Sequence, residues 1–159
     1  GRCCFLAWSR LLRLTSLQSP NSLSAMSFTC FLLLLDKSSA TLTCHQWVGT
    51  TIGPVEILGV IDLCVLKLYQ GCGIASRMLS WVEALAKQTD IPFLMLFAHD
   101  RRLYERNGFI HATNLLRWVK IHEHEIIGIG EEPLEELMIK SVGTENWPEG
   151  LVDLLGYQF

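Results

Sequence analysis

The sequence predicts a mixed α/β domain, a central sheet with an antiparallel meander and flanking helices, and three observations carry that prediction. Apolar runs of strand length follow one another at 28–35, 40–51 and 55–66. Only Lys37-Ser38-Ser39 and Gly53-Pro54 separate them, which is the short punctuation of hairpins between antiparallel neighbours. One strongly amphipathic helix then precedes a fully apolar run at Phe93–Ala98, so a strand, a helix and a buried strand form a crossover unit.

At 159 residues the chain is long enough for one domain with a full core and too short for two ordinary ones. Hydrophobic residues make up 50% of it and charged residues 18%, the balance of a folded chain and not of a disordered tail. A net charge of −3 leaves no basic field for counterion-driven binding, so no nucleic-acid partner is expected. The longest purely apolar runs, Cys30–Leu35 among them, are far short of the roughly 20 residues that span a bilayer, and no membrane partner is expected. Six cysteines (Cys3, Cys4, Cys30, Cys44, Cys64 and Cys72) form neither a CxxC pair nor a disulfide rhythm. They read as reduced thiols, and cytoplasm as the expected location.

Residues 1–27 stand apart as an atypical or truncated N-terminal segment, with residues 28–159 as the domain proper. The first 35 residues contain no Asp or Glu but carry Arg2, Arg10 and Arg13. An amphipathic helix using Phe5, Leu6, Trp8, Leu12 and Leu17, a transit-like leader, and upstream sequence or a replaced amino terminus ahead of Met26 all remain open.

The helix opens at Gly73. Ile74, Ala75, Met78, Leu79, Val82, Leu85 and Ala86 fall on one side, with Arg77, Ser80, Glu83 and Lys87 on the other. It ends near Gln88, before Asp90-Ile91-Pro92. A short helix is expected over Arg101–Asn107, closed by Gly108, with Phe109 resuming the sheet. Two further strands are expected at Asn114–His122 and Leu134–Val142, separated by a turn region containing Gly128, Gly130 and Pro133.

Between the third strand and the long helix lies Leu63-Cys64-Val65-Leu66-Lys67-Leu68-Tyr69-Gln70-Gly71-Cys72-Gly73-Ile74-Ala75-Ser76. A tight glycine turn there presents backbone N–H groups without side-chain obstruction, and the helix adds partial positive charge at its first turn. That is an anion site for a phosphate or pyrophosphate. No Gly-Lys-Ser/Thr follows for a Walker loop, and the third glycine of a dinucleotide fingerprint is missing, which weakens both nucleotide readings.

The run Val65-x-x-x-Tyr69-Gln70-Gly71-x-Gly73-Ile74-Ala75 resembles motif A of the GNAT superfamily of N-acetyltransferases, the pyrophosphate loop for coenzyme A. Lys67 stands where that motif usually has proline. Downstream, Leu103-Tyr104-Glu105-Arg106-Asn107-Gly108-Phe109 resembles motif B of the same superfamily. The resemblance covers the chain from about Phe28 and is sharpest over Ile61–Phe109. Leu137–Lys140 and Trp147-Pro148-Glu149-Gly150 are loosely similar to the tails of nodulation-type N-acyltransferases. Residues 1–27 depart from the family's opening strand and two helices.

The resemblance implies a GNAT-like fold with two parallel strands that splay apart, and acetyl-CoA as cosubstrate with no metal. It implies coenzyme contacts at Leu63, Cys64, Val65, Gln70, Gly71, Cys72, Gly73, Ile74, Ala75 and Ser76. Tyr104 is implied as the acid for the departing thiolate, and Asp62 as the acceptor of the amine proton through water. His99 and Glu105 are fallback bases. The expected partner is a small-molecule primary amine, and the expected state a monomer or homodimer. Two alternatives stay open: a coenzyme-binding module without turnover, and a transferase for a longer acyl donor. His122-Glu123-His124-Glu125 is read as a solvated strand end, because the further ligands of a metal site are not evident. The acids Glu123, Glu125, Glu131, Glu132, Glu135 and Glu136 read mostly as a solvated face that can steer a cationic amine.

Overall fold

The computed structural model describes residues 29–36, 39–122 and 125–154. The expectations for residues 1–27, and for Glu123 and His124, lie outside the described residues. The element order is β1 (Thr29–Asp36), β2 (Ser39–Thr50), β3 (Gly53–Val65), α1 (Ile74–Gln88), β4 (Phe93–Phe97), α2 (Arg102–Arg106), β5 (Ile110–His111), β6 (Leu115–His122), β7 (Glu125–Pro133), β8 (Leu137–Ser141) and β9 (Leu151–Asp153). The strands form one mixed sheet in the order β5-β8-β4-β3-β2-β9-β6-β7, with β1 also pairing β2. The predicted meander is present: β1, β2 and β3 pair antiparallel, and β3 pairs β4 in parallel after the α1 crossover.

The α1 periodicity buries Met78, Leu79, Val82 and Ala86. They pack with Leu58, Val60, Leu94, Leu96, Phe109 and Met138 on one face of the sheet. On the other face Val48, Ile57, Phe93, Met95, Leu116, Leu137, Ile139, Val152 and Leu154 form a second cluster. Phe93–Leu96 are all buried, because alternate residues of β4 serve opposite clusters. An unbroken apolar run is what a strand covered on both faces requires.

The sequence reading of 128–133 as a turn region is corrected by the structure. These residues belong to β7, which pairs antiparallel with β6 from Leu115↔Pro133 to His122↔Glu125. Gly130 faces Trp118 across the ladder, and a Cβ at that position would lie 2.6 Å from the indole ring. The glycine makes room for the ring and does not break the strand. A ladder irregularity follows between Lys120 and Ile121, beside Gly128. Pro133 ends the outermost strand, where a missing N–H costs no interior pairing. The tail adds a strand the sequence reading did not foresee, β9, inserted between β2 and β6. Buried Asn114 fixes its approach: the amide donates to the carbonyls of Pro148 (2.9 Å) and Gly150 (3.0 Å) and accepts from Trp147 Nε1 (2.7 Å).

Candidate active site

The site begins where two strands part. β3 and β4 share only three ladder pairs, Ile57↔Phe93, Leu58↔Leu94 and Gly59↔Met95. Beyond them β4 pairs only with β8 and β3 only with β2, so two facing strand edges carry no ladder to each other. The cause of the divergence is visible in the β2–β3 register: Leu42 pairs Asp62 and Thr43 pairs Val60, leaving Ile61 as an extra, bulged residue. A bulge bends its strand and increases the local twist. It also shifts side-chain parity, so Leu63 joins the α1-face cluster of Leu58 and Val60, while Asp62 and Cys64 are exposed. The expected splayed pair is therefore built by a one-residue insertion within β3.

At the end of β3 a 3-10 turn at Lys67–Tyr69 leads into the glycine loop. The Tyr69 N–H donates to the Leu66 carbonyl at 2.8 Å, and the Gln70 amide Nε2 donates to the Val65 carbonyl at 3.0 Å. The Gln70 side chain thus braces the loop from behind. Gly71 and Gly73 both have φ of 75°, and a Cβ at either would meet nothing within 4 Å. Gly73 caps α1 without any side-chain hydrogen bond to the first turn, and that turn contains no acidic residue. Ile74, Ala75 and Ser76 then present the opening N–H groups of a 15-residue helix. The open glycines and the absence of a competing carboxylate fit a diphosphate group. Cys72 sits exposed in the same loop. Cys44, Cys64 and Cys72, the cysteines whose side chains are described, form no disulfide.

Motif B is placed against this loop. Tyr104 on α2 is half-buried and, like Leu63, Ala98 and Leu103, packs against the α1-face cluster, and its ring meets Phe109 edge-on at a centroid distance of 5.9 Å. Among the described residues no hydrogen bond holds its hydroxyl, which leaves the phenol proton available. Burial pushes the phenol above its ordinary value near 10, and Asp100 and then Cys64 add to the same direction. Tyr104 therefore stays protonated through neutral pH. Arg102 makes a two-point contact with Asp100 (Nε–Oδ1 2.9 Å, Nη2–Oδ2 2.6 Å) and holds that carboxyl down at about 2.

The other expected residues divide. Asp62 lies at the bulge with an exposed carboxylate, and its carbonyl accepts from Thr41 Oγ1 at 2.7 Å. Its side chain is on the face opposite the α1 cluster, one residue before Leu63, so it flanks the parting strands. His99 pairs with Glu136 (3.2 Å) with its side chain 93% exposed, and Glu105 is exposed on α2; neither is gathered into the site. Of the acids on the solvated face, Glu131 is bound to Arg117 at 2.7 Å and Glu136 to His99. Among the described residues no group of three His, Cys, Asp or Glu could hold a metal, and no helix is long and apolar enough to cross a membrane.

Sequence reasoning missed Asn107 and Lys140. Asn107 closes α2 and donates to Ser76 Oγ on α1 at 3.0 Å, while Lys140 on β8 donates to the Asn107 carbonyl at 2.7 Å and to Glu83 at 2.6 Å. Apart from the motif position of Asn107, no local pattern marks these contacts.

A parallel pair of strands parted at a bulge, a glycine-opened helix terminus and a half-buried tyrosine on α2 together make the fold of an acyl-coenzyme A-dependent transferase. The family model described as "Acetyltransferase (GNAT) domain" matches residues 30–111, just over half of the chain, and the chain belongs to this family. No curated protein matches it. Among solved structures, it is similar to the GNAT family N-acetyltransferase YhbS from Escherichia coli in complex with CoA. The identity is 17% and the TM-score 0.49, over 72% of this chain and 59% of that one. It is also similar to an acetyltransferase from Bacillus cereus, at 14% identity and a TM-score of 0.45, over 74% of each chain. Tetrahymena GCN5 matches at 15% identity and a TM-score of 0.44, over 74% of this chain and 69% of that one. The chain thus spans about three-fifths of the length of E. coli YhbS.

Proposed function

We propose that this chain transfers an acetyl group from acetyl-coenzyme A to the primary amine of a small molecule. The observation that carries the reading is the parting of β3 and β4 beyond Gly59 and Met95, with the open-glycine start of α1 at the end of β3 and Tyr104 packed against the α1-face cluster. A pantetheine arm pairs with the unladdered edge at Leu63, Cys64 and Val65, as an added strand would. The diphosphate lies on the amides from Gly71 to Ser76. Gln70 serves by holding the loop shut against Val65.

The chemistry needs positioning more than covalent participation. The amine lone pair forms the new N–C bond at the acyl carbon, and the C–S bond breaks. The sulfur takes the Tyr104 phenol proton, and the surplus amine proton leaves through water to Asp62. A phenol held neutral by burial suits the first transfer, and an exposed carboxylate at the cleft edge suits the second. The exposed acids Glu125, Glu132 and Glu135 favour approach of a cation.

Calorimetric titration with acetyl-coenzyme A, followed by thiol release across an amine panel (polyamine, aminoglycoside, lysyl peptide), tests the reading. Binding that Gly73→Glu abolishes, with release on at least one amine, is the expected result. Absence of binding overturns it. Tight binding with silence across the panel replaces it with a coenzyme-binding module.

A further inference from the structure

Asn107 makes two hydrogen bonds through one nitrogen. Its Nδ2 lies 2.8 Å from the Leu103 carbonyl and 3.0 Å from Ser76 Oγ. A carbonyl can only accept, so the nitrogen and not the oxygen of the amide must face Leu103. That same nitrogen has two hydrogens and no available lone pair, so Ser76 accepts the second one. The Ser76 hydroxyl must then send its own hydrogen elsewhere, and among the described residues it donates to nothing. Ser76 is the third residue of α1, in the turn whose opening amides face the glycine loop.

The position of Asn107 is itself fixed. Its carbonyl accepts from Lys140 Nζ at 2.7 Å, and Lys140 is bound to Glu83 Oε2 at 2.6 Å with both side chains mostly buried. Its N–H donates to the carbonyl of Tyr104 at 2.9 Å. One residue therefore joins the first turn of α1 to the end of the helix that carries Tyr104, with β8 as the anchor.

We infer that Asn107 is a positioning residue for coenzyme binding: by spending its amide hydrogen on Ser76, it turns the Ser76 hydroxyl into a committed donor to the coenzyme diphosphate. The inference rests on the coenzyme reading of the glycine loop given above. A neutral hydroxyl donating to a phosphate oxygen is a charge-assisted bond, and its loss weakens binding by about tenfold or more. Asn107 acts only through that hydroxyl, so its own loss costs several-fold in a chain that has Ser76 and nothing in one that lacks it.

A double-mutant cycle on coenzyme A affinity, read by calorimetry, separates this from a purely structural role. Ser76→Ala is expected to weaken binding about tenfold and Asn107→Ala several-fold, with the double variant no weaker than Ser76→Ala alone. Independent, multiplying losses overturn the inference, as does an Asn107→Ala chain of unchanged affinity. Should Asn107→Ala fail to fold, Asn107→Leu, close to asparagine in shape and without an amide hydrogen or a charge, serves in the same cycle, and its several-fold loss of affinity is expected only while Ser76 is present. Ser76→Ala without effect, in a chain whose binding Gly73→Glu abolishes, overturns this inference and leaves the loop reading standing. A wild-type chain that binds no coenzyme A overturns both.

Discussion

Replacing Gly73 by alanine separates the cost of a backbone from the cost of an occupied site. Gly73 has φ of 75° and ψ of 8°, and an L side chain there costs about 1–2 kcal/mol of left-handed strain. Nothing lies within 4 Å of the added Cβ, so no clash adds to that figure in the ligand-free chain. For a domain of this size the strain corresponds to a fall in Tm of a few degrees. The effect on the ligand is of another order, because the methyl group fills the space where a phosphate approaches the opening amides of α1. Displacing even two charge-assisted hydrogen bonds, each worth about 1.5–3 kcal/mol, weakens binding on the order of a hundredfold or more. Thermal unfolding and calorimetric titration with coenzyme A, made on the same preparation, give the two numbers. A Gly73→Ala chain that binds within twofold of the wild type refutes the assignment of this loop as the diphosphate cradle. So does a loss of affinity no larger than the fraction of protein unfolded.

Gly130→Ala should show the converse pattern: its Cβ would stand 2.6 Å from the Trp118 ring, an overpacking worth about 1–3 kcal/mol of stability, while coenzyme affinity is unchanged. Tyr104→Phe should lower kcat by about a hundredfold and leave coenzyme affinity within twofold, as expected for a proton donor that does not bind the diphosphate. Because burial raises the Tyr104 phenol above its ordinary value, its alkaline loss of activity should fall above pH 10; a Tyr104-dependent limb below pH 9 would contradict the burial argument. Lys140, then Lys87, lower the Glu83 carboxyl below its unfolded value. The stability it contributes is therefore complete above the unfolded pKa, near 4.3, and lost as pH falls through the lower folded value. Glu83→Gln should be less stable than wild type at pH 7, and the gap should close under acid in pH-dependent denaturant melts; a gap independent of pH would show that the ion pair with Lys140 is not its source.

What the sequence made legible is what neighbours in sequence decide. The hairpins β1–β2 and β2–β3, the α1 face and the glycine loop are all local: short breakers, a 3.6-residue period, and glycines at left-handed positions. The Ile61 bulge was not legible, because an extra residue in a strand leaves the apolar pattern nearly intact and shows only in the partner's register. Nor was β7, whose Gly128, Gly130 and Pro133 carry the composition of a turn. That composition is resolved only by the Trp118 ring twelve residues before Gly130, for which the strand had to leave space.

The links that unite the site are the least legible of all, since they cross the chain. Asn107 reaches Ser76 over 31 residues, and Lys140 reaches Glu83 over 57. Each link joins a pair whose members have an ordinary solvated reading in isolation: a helix-face glutamate, a strand lysine, a helix-end asparagine. Folding joins them, because β8 lies beside β4 and Lys140 on it reaches both Glu83 on α1 and the Asn107 carbonyl at the end of α2. On the proposed reading, the motifs mark the groups that would meet the coenzyme, and the tertiary contacts fix where those groups stand. A substitution at Lys140 or Asn107 should accordingly alter affinity without touching the ligand, whereas one at His99, paired with Glu136 at the surface, should alter neither affinity nor rate.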